Sequence, residues 1–284
     1  MGMHRWARRT TERMEEIWNL RLAHVDPQRV MMSTRPGSGA MVVHVFGPNG
    51  ELEALRKKFG GRVSKLPPEV WTGDPQRPRA PIPIRGKLRI YGDAAAFREE
   101  SGDGRGILIP AGMAFGTGDH ATTATCLRLL CDLAKDLPPG WKALDAGTGT
   151  GILAVAAEKL GASQVEAFDF DPVCIRVAKA NARANGCRRI RFSVADSRKA
   201  GGFGKADVVL ANLYSELLVE SAPGLAAKLP AGGWLVFSGV LKRQAAGVCA
   251  ALAKCGFEKP KTVARGKWVA GLARRRAVRP GGGV

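Results

Sequence analysis

The chain has 284 residues, a net charge of +19 and 45% hydrophobic residues, enough to bury a core in a large domain plus a smaller one. No apolar run reaches the roughly 20 residues needed to cross a bilayer. The charged opening MGMHRWARRTTERMEE has no apolar segment behind it, which argues against a secretory leader and for a cytoplasmic protein.

In chain order, residues 1–66 read as a small α+β unit. It has a short polar helix at Thr11–Trp18, a strand in AMVVHVFG, a helix in GELEALRKKFGG and a strand in RVSKL. Prolines between Pro67 and Pro83 exclude an interior helix or central strand, so residues 67–90 are expected to link this unit to a domain over 91–284. KLRIYG resumes as a strand. From Lys142 onward strands and helices alternate: KALDAG, QVEAFDFD, RIRFSVAD, ADVVLANL and GGWLVFSGV carry the strand pattern. The helices between them are punctuated by Pro172 at one start and by Gly161 and Gly186 at ends. Two closing strands, EKPKTVARG and KWVAGLARR, form a hairpin. Such alternation specifies a doubly wound α/β fold, mostly parallel, with helices on both faces and its last strand antiparallel.

The six cysteines lie apart, with no CxxC pair and no histidine at ligand spacing. They read as reduced core thiols rather than as metal ligands or disulfides. The charge is unevenly spread. Residues 1–90 hold 17 Lys/Arg against 8 Asp/Glu, residues 91–241 hold 16 against 16, and residues 242–284 hold 11 against 1. Basic flanks around a neutral middle suit a polyanionic neighbour such as rRNA or the ribosome surface; a solvated basic surface would look the same. Neither flank has aromatics interleaved in the manner of an RNA-recognition motif.

The stretch ALDAGTGTGILAVAAEKLGASQVEAFDFDP poses the central question: what does its glycine loop hold? No Lys-Ser/Thr follows the glycines, so it is not a triphosphate P-loop. Gly149, Gly151 and Ala154 fit a permissive dinucleotide pattern, and Asp169 stands 20 residues after Gly149. Asp145, however, sits two residues before Gly147 at a strand end, where a carboxylate repels a pyrophosphate and suits an ammonium. S-adenosylmethionine carries one, beside a cationic sulfur. Glycines let backbone approach such a ligand closely. Asp169 can then receive the ribose hydroxyls and Asp196 the adenine amino group. Asp145, Asp169, Asp196 and Asn212 end four successive strands, on the edge where open α/β sheets bind ligands.

Three stretches carry a family resemblance. PAGMAFGTGDHATTATCLRLL, the glycine-loop segment, and ADVVLANLYSELL with SGVLKRQAAGVCAALAKCGF together resemble the ribosomal protein L11 methyltransferase family, within the class I methyltransferases. The resemblance covers about residues 105–276. It implies a Rossmann-like, seven-stranded methyltransferase sheet, S-adenosylmethionine as cofactor, and methylation of amines of a large-subunit ribosomal protein gripped by the N-terminal domain. Its donor contacts fall on Thr123, Gly147, Asp169 and Asn212. Asp119 and Ala121 stand where the family usually has Thr and Pro.

The donor site expected is therefore Thr123, Asp145, Gly147, Gly149, Gly151, Asp169, Asp196 and Asn212, with no metal. Asn212 is expected to position the incoming amine and Tyr214 to wall its pocket or hydrogen-bond it. His120 is expected to brace the loop rather than act as a base. ANLY lacks the prolines of the N-P-P-Y type that shapes a flat pocket for a nucleobase. An RNA methyltransferase, another protein-lysine methyltransferase on this fold, and a nicotinamide oxidoreductase are the alternatives.

Overall fold

Because a parallel strand buried on both faces must be apolar on both, the run VVLAN alone signals a central strand; in the computed structural model it is one. The structure describes residues 4–22, 25, 29–34, 39–65, 80–110, 118 and 120–277. The chain divides into two compact units, Met1–Pro78 and Arg79–Val284. The break falls in the proline-rich stretch, whose residues 66–79 lie outside the described ones, as do 111–117 and 119 of the glycine-threonine signature.

The first unit runs β1 (His4–Thr11), α1 (Glu15–Arg21), β2 (Val30–Thr34), β3 (Ala40–Gly47), α2 (Asn49–Phe59), β4 (Arg62–Lys65). Its sheet has the order β2-β3-β1-β4. Met41, Val43 and Val45 alternate along β3 into a core with Trp6, Trp18 and Leu52. Two strands were not expected. In β1, HRWARRTT, Trp6 is the one fully buried side chain, and its arginines hide the alternation that marks a strand. β1 runs to Thr11, so the helix begins later than expected, at Glu15 after a 3-10 turn.

In the second unit β5 (Ile82–Ile84), β6 (Leu88–Tyr91) and β7 (Gly106–Leu108) form a three-stranded sheet, with α3 (Ala94–Glu100) between the last two. Residues 82–84, expected in the linker, are therefore strand, and the strand expected in KLRIYG is β6. Pro83 is tolerated because β5 is an edge strand, where a missing N–H costs no ladder bond. Asn185 ties this sheet to the main one: its side chain accepts from Leu108 N at 2.7 Å and donates to Leu108 O at 2.8 Å and Asn181 O at 2.8 Å, all buried.

The main sheet comprises β8 (Lys142–Ala146), β9 (Gln164–Asp169), β10 (Ile190–Val194), β11 (Val208–Asn212), β12 (Trp234–Leu241), β13 (Lys261–Arg265) and β14 (Trp268–Arg274). Their order is β10-β9-β8-β11-β12-β14-β13. Pairs among β8 to β12 are parallel, and β14 runs antiparallel to both neighbours. This is the expected doubly wound, mostly parallel seven-stranded sheet. The helices are α4 (Ala121–Leu133), α5 (Ile152–Lys159), α6 (Pro172–Ala184), α7 (Ser215–Lys228) and α8 (Ala245–Lys254). Side chains alternate along β11, Val208 and Leu210 joining one core, Val209 and Ala211 the other. The chain winds outward from β8 to β10, then crosses back to β11. That reversal leaves a crevice at the carboxyl ends of β8 and β11.

The tie through Asn185 yields a stability prediction. Asn185→Ala leaves buried backbone groups of Leu108 without partners and lowers unfolding free energy by about 2–4 kcal/mol, measured from urea midpoints. A change below about 0.5 kcal/mol contradicts this role.

Candidate functional site

The crevice is a cavity of about 590 Å³ whose walls include Thr123, Gly147, Gly149, Asp169, Asp196, Asn212 and Tyr214. That volume suits a nucleoside-sized ligand. Seven of the sequence-predicted residues thus meet in one place. Asp145 and Gly151 do not line it. Gly151 instead serves packing: at φ +82° it opens α5, and a Cβ there would stand 3.0 Å from the Cβ of Ala178 on α6.

Asp145 is fully buried beneath the loop. Its Oδ2 accepts from the Thr148 hydroxyl at 2.6 Å and from the Ala154 amide at 3.1 Å, stapling the loop to the first turn of α5. Its Oδ1 is buried with no hydrogen-bond partner. Burial pushes its carboxyl up to about 7, against the lowering effect of those two bonds.

The loop amides are largely spoken for. Gly147 N and Thr148 N both donate to Phe168 O at 2.9 Å, Gly149 N to Asp169 Oδ2 at 2.9 Å, and Gly151 N to Thr148 O at 2.8 Å. A pyrophosphate site keeps such amides pointing at the ligand. Here they hold strand ends together, and the loop offers shape instead. Gly147 has φ +71°, and a Cβ there would strike Leu213 at 2.5 Å. Asn181 of α6 secures the loop from behind by donating to Thr150 O at 2.8 Å.

Asp169 is nearly buried and also accepts from Asp171 N at 3.1 Å. A carboxylate has about four acceptor positions, so capacity remains for two hydroxyls. Asp196 is differently placed. Arg198 Nε lies 3.0 Å from both its oxygens and Arg198 Nη2 2.8 Å from Oδ2. Hydrogen bonds from Arg198 hold its carboxyl below the usual carboxylate range. Asn212 Nδ2 donates to Thr123 Oγ1 at 3.2 Å across 89 residues of sequence, leaving Asn212 Oδ1 as an acceptor.

His120 caps α4, its Nδ1 2.7 Å from the Thr122 hydroxyl, and its ring meets Trp268 edge-on at 5.6 Å. That is a bracing geometry. Gly118, in the same signature, is pinned between elements: a Cβ would meet Ile90 Cγ2 at 2.9 Å and Ile152 Cδ1 at 3.2 Å.

Sequence reasoning missed Phe170 and Arg198, both of which line the cavity. Phe170 is 76% exposed and Tyr214 62%, costly positions for aromatic rings unless a ligand covers them. The signal for Phe170 was present, an aromatic between two acids at a strand end; Arg198 had none, being one arginine in a basic chain. The residues fit S-adenosylmethionine: a loop closed to phosphate, an orphaned carboxylate oxygen below it, an acid with spare acceptors and an exposed aromatic at the rim. Among the described residues no group of three or more His, Cys, Asp or Glu side chains is placed to hold a metal ion, and none of their helices is long and apolar enough to cross a membrane.

The raised carboxyl of Asp145 predicts a pH dependence. Its unfolded value is about 3.9 and its folded value about 7, so the folded state binds the extra proton between those limits. Stability contributed by the neutral form falls as pH rises from about 4 to 7. Asp145→Asn, which fixes the neutral form, flattens that slope in urea titrations. An identical slope in both proteins contradicts the assignment.

Comparison with known proteins identifies the family. A family model described as "Ribosomal protein L11 methyltransferase (PrmA)" matches residues 42–276. A ribosomal protein L11 methyltransferase from Pelotomaculum thermopropionicum is 38% identical over 209 residues, 74% of this chain and 67% of the relative. One from Thermus thermophilus is 44% identical over 163 residues, 57% of this chain and 62% of the relative. The matched stretches thus span about two thirds of the relatives' length. A crystal structure of a ribosomal protein L11 methylase from Lactobacillus delbrueckii subsp. bulgaricus superposes with a TM-score of 0.60 at 30% identity, covering 70% of this chain and all of that one. With its sheet order, its closed glycine loop and its strand-end acids, this chain belongs to the ribosomal protein L11 methyltransferase family, methyl-transferring enzymes whose donor is S-adenosylmethionine.

Proposed function

We propose that this chain transfers methyl groups to lysine side-chain or amino-terminal amines of a large-subunit ribosomal protein, in the cytoplasm. The observation that carries the reading is the pairing of Asn212 with Thr123 at 3.2 Å on the cavity wall, in a chain matched by that family model over most of its length.

When bound, the donor supplies an electrophilic methyl on a cationic sulfur. The chain's residues do the rest. Gly147 and Gly149 let backbone close on the donor, Thr123 with its helix start holds the donor's amino-acid end, and Asp169 takes the ribose hydroxyls. Phe170 covers the adenine ring, and Asp196, steadied by Arg198, faces its amino group. Asp145, fully buried beneath the loop, shapes it rather than touching the donor. The amine must arrive uncharged. An apolar rim of Leu213, Leu217 and Tyr214 desolvates it and lowers its pKa. Asn212 Oδ1 accepts a hydrogen bond from the amine and fixes its line of approach, which supplies much of the acceleration. The released proton leaves to water.

A second reading, methylation of RNA, draws on the basic flanks. The test is to incubate the protein with ribosomes and with the free large-subunit protein, using donor labelled in its methyl group, and then to separate protein from RNA. Label is expected in the protein, on amines located by mass spectrometry. Label confined to RNA overturns the proposal.

A further inference from the structure

The bonds that steady Asp196 also fill it. A carboxylate has about four acceptor positions. Oδ1 of Asp196 takes Arg198 N and Arg198 Nε, each at 3.0 Å, and Oδ2 takes Nε at 3.0 Å and Nη2 at 2.8 Å. Every position therefore faces one residue. Asp169, by contrast, accepts two backbone amides and keeps room for two hydroxyls. An adenine amino group that reaches Asp196 competes with the Arg198 guanidinium, since both are donors and the carboxylate has no acceptor to spare.

The backbone beneath Arg198 is pinned, and its side chain is exposed. Arg198 belongs to the short turn Ser197–Gly202. Ser221 Oγ of α7 donates to Ser197 Oγ at 2.9 Å, both side chains being buried, and Lys199 N donates to Asp196 O at 2.9 Å. The bond through Ser221 also brings its chain neighbour Glu220 alongside. Glu220 Oε2 lies 3.9 Å from Arg198 Nη1, beyond hydrogen-bond range but within a small rotation of it. The Glu220 side chain has no other ion pair or hydrogen bond among the described residues.

Arg198 thus stands between two carboxylates, bound to one and adjacent to the other. Asp196 and Arg198 line the cavity, and Glu220 does not. Ion pairs at such exposed positions are weak enough to exchange.

We propose that Arg198 is a latch that sets the adenine specificity of the donor site: it yields Asp196 to the exocyclic amino group and closes on Glu220 instead. The inference rests on the reading that S-adenosylmethionine binds with its adenine at Asp196. The exchange leaves Arg198 N donating to Oδ1 while Oδ2 receives the nucleobase. A nucleobase with an oxo group in that place has no proton for Asp196 and leaves the latch shut.

The test is calorimetric titration of the full chain with S-adenosylhomocysteine, which carries the adenine but no sulfonium, so that attraction or repulsion of a cation does not enter. R198M keeps the aliphatic stem and removes every competing side-chain donor. It should bind about threefold more tightly than the parent, the worth of an exposed ion pair that no longer has to break. E220Q takes away the second carboxylate and should bind about threefold more weakly. R198M/E220Q should bind as R198M does, because Glu220 acts only through Arg198. S-inosylhomocysteine, with an oxo group in place of the amino group, should gain nothing from R198M. The latch is overturned if R198M binds S-adenosylhomocysteine no more tightly than the parent, as a residue that merely holds the turn would require. It is equally overturned if E220Q weakens binding by the same factor once Arg198 is gone, or if the inosine compound gains as much as the adenosine one. A parent that binds neither S-adenosylmethionine nor S-adenosylhomocysteine overturns the donor reading and the latch together; binding that ignores Arg198 overturns the latch alone.

Discussion

The site depends on where the main-chain donors of the glycine loop point. Four of its amides are consumed within the fold, by Phe168 O, by Asp169 and by Thr148 O, while the buried Asp145 carboxylate anchors Thr148 and the start of α5. A loop wired inward turns those four amides away from a phosphate and presents instead a glycine surface over the buried Asp145 carboxyl. One wiring choice thereby selects a cationic nucleoside over a dinucleotide, although a spacing pattern of glycines fits both. It also explains why Gly147 must lack a side chain: Leu213, from the opposite lip of the crevice, occupies the space a Cβ would take.

Much of this was legible in the sequence because each signal marks a strand end. Asp145, Asp169, Asp196 and Asn212 stop apolar runs, and a parallel sheet brings such stops to one edge whatever lies between them. The fold of the second unit followed from the same runs. What stayed hidden either has no distinguishing pattern or is made by contacts between distant segments. Arg198 chelates Asp196 two residues away, yet nothing separates it from 43 other Lys and Arg residues. Asn185 bridges Leu108 across 77 residues. β1 was masked by its arginines, which lie on an outward face or over Trp18, as Arg8 does. Residues 82–84 looked like linker because they close the proline-rich stretch, and an edge strand absorbed Pro83. Asp145 was placed at the right strand end, but its depth came only from the packing above it.

Charge is partitioned as cleanly as polarity. The neutral middle of the chain builds the cavity, where a surplus of cations would repel a sulfonium and an incoming lysine. The surplus of cations belongs to other segments of the chain, residues 1–90 and 242–284. Partition of this kind lets one chain hold a positively charged cofactor and still present a basic face to its surroundings.

The central claim is that a sulfonium nucleoside, held by Asp169, fills the crevice between β8 and β11. Isothermal calorimetry tests it directly. S-adenosylmethionine should titrate as one site per chain, and Asp169→Ala should weaken it by about 1–3 kcal/mol, the cost of losing charge-assisted hydrogen bonds. Binding of NADH in place of S-adenosylmethionine, or an affinity indifferent to Asp169, would contradict the account.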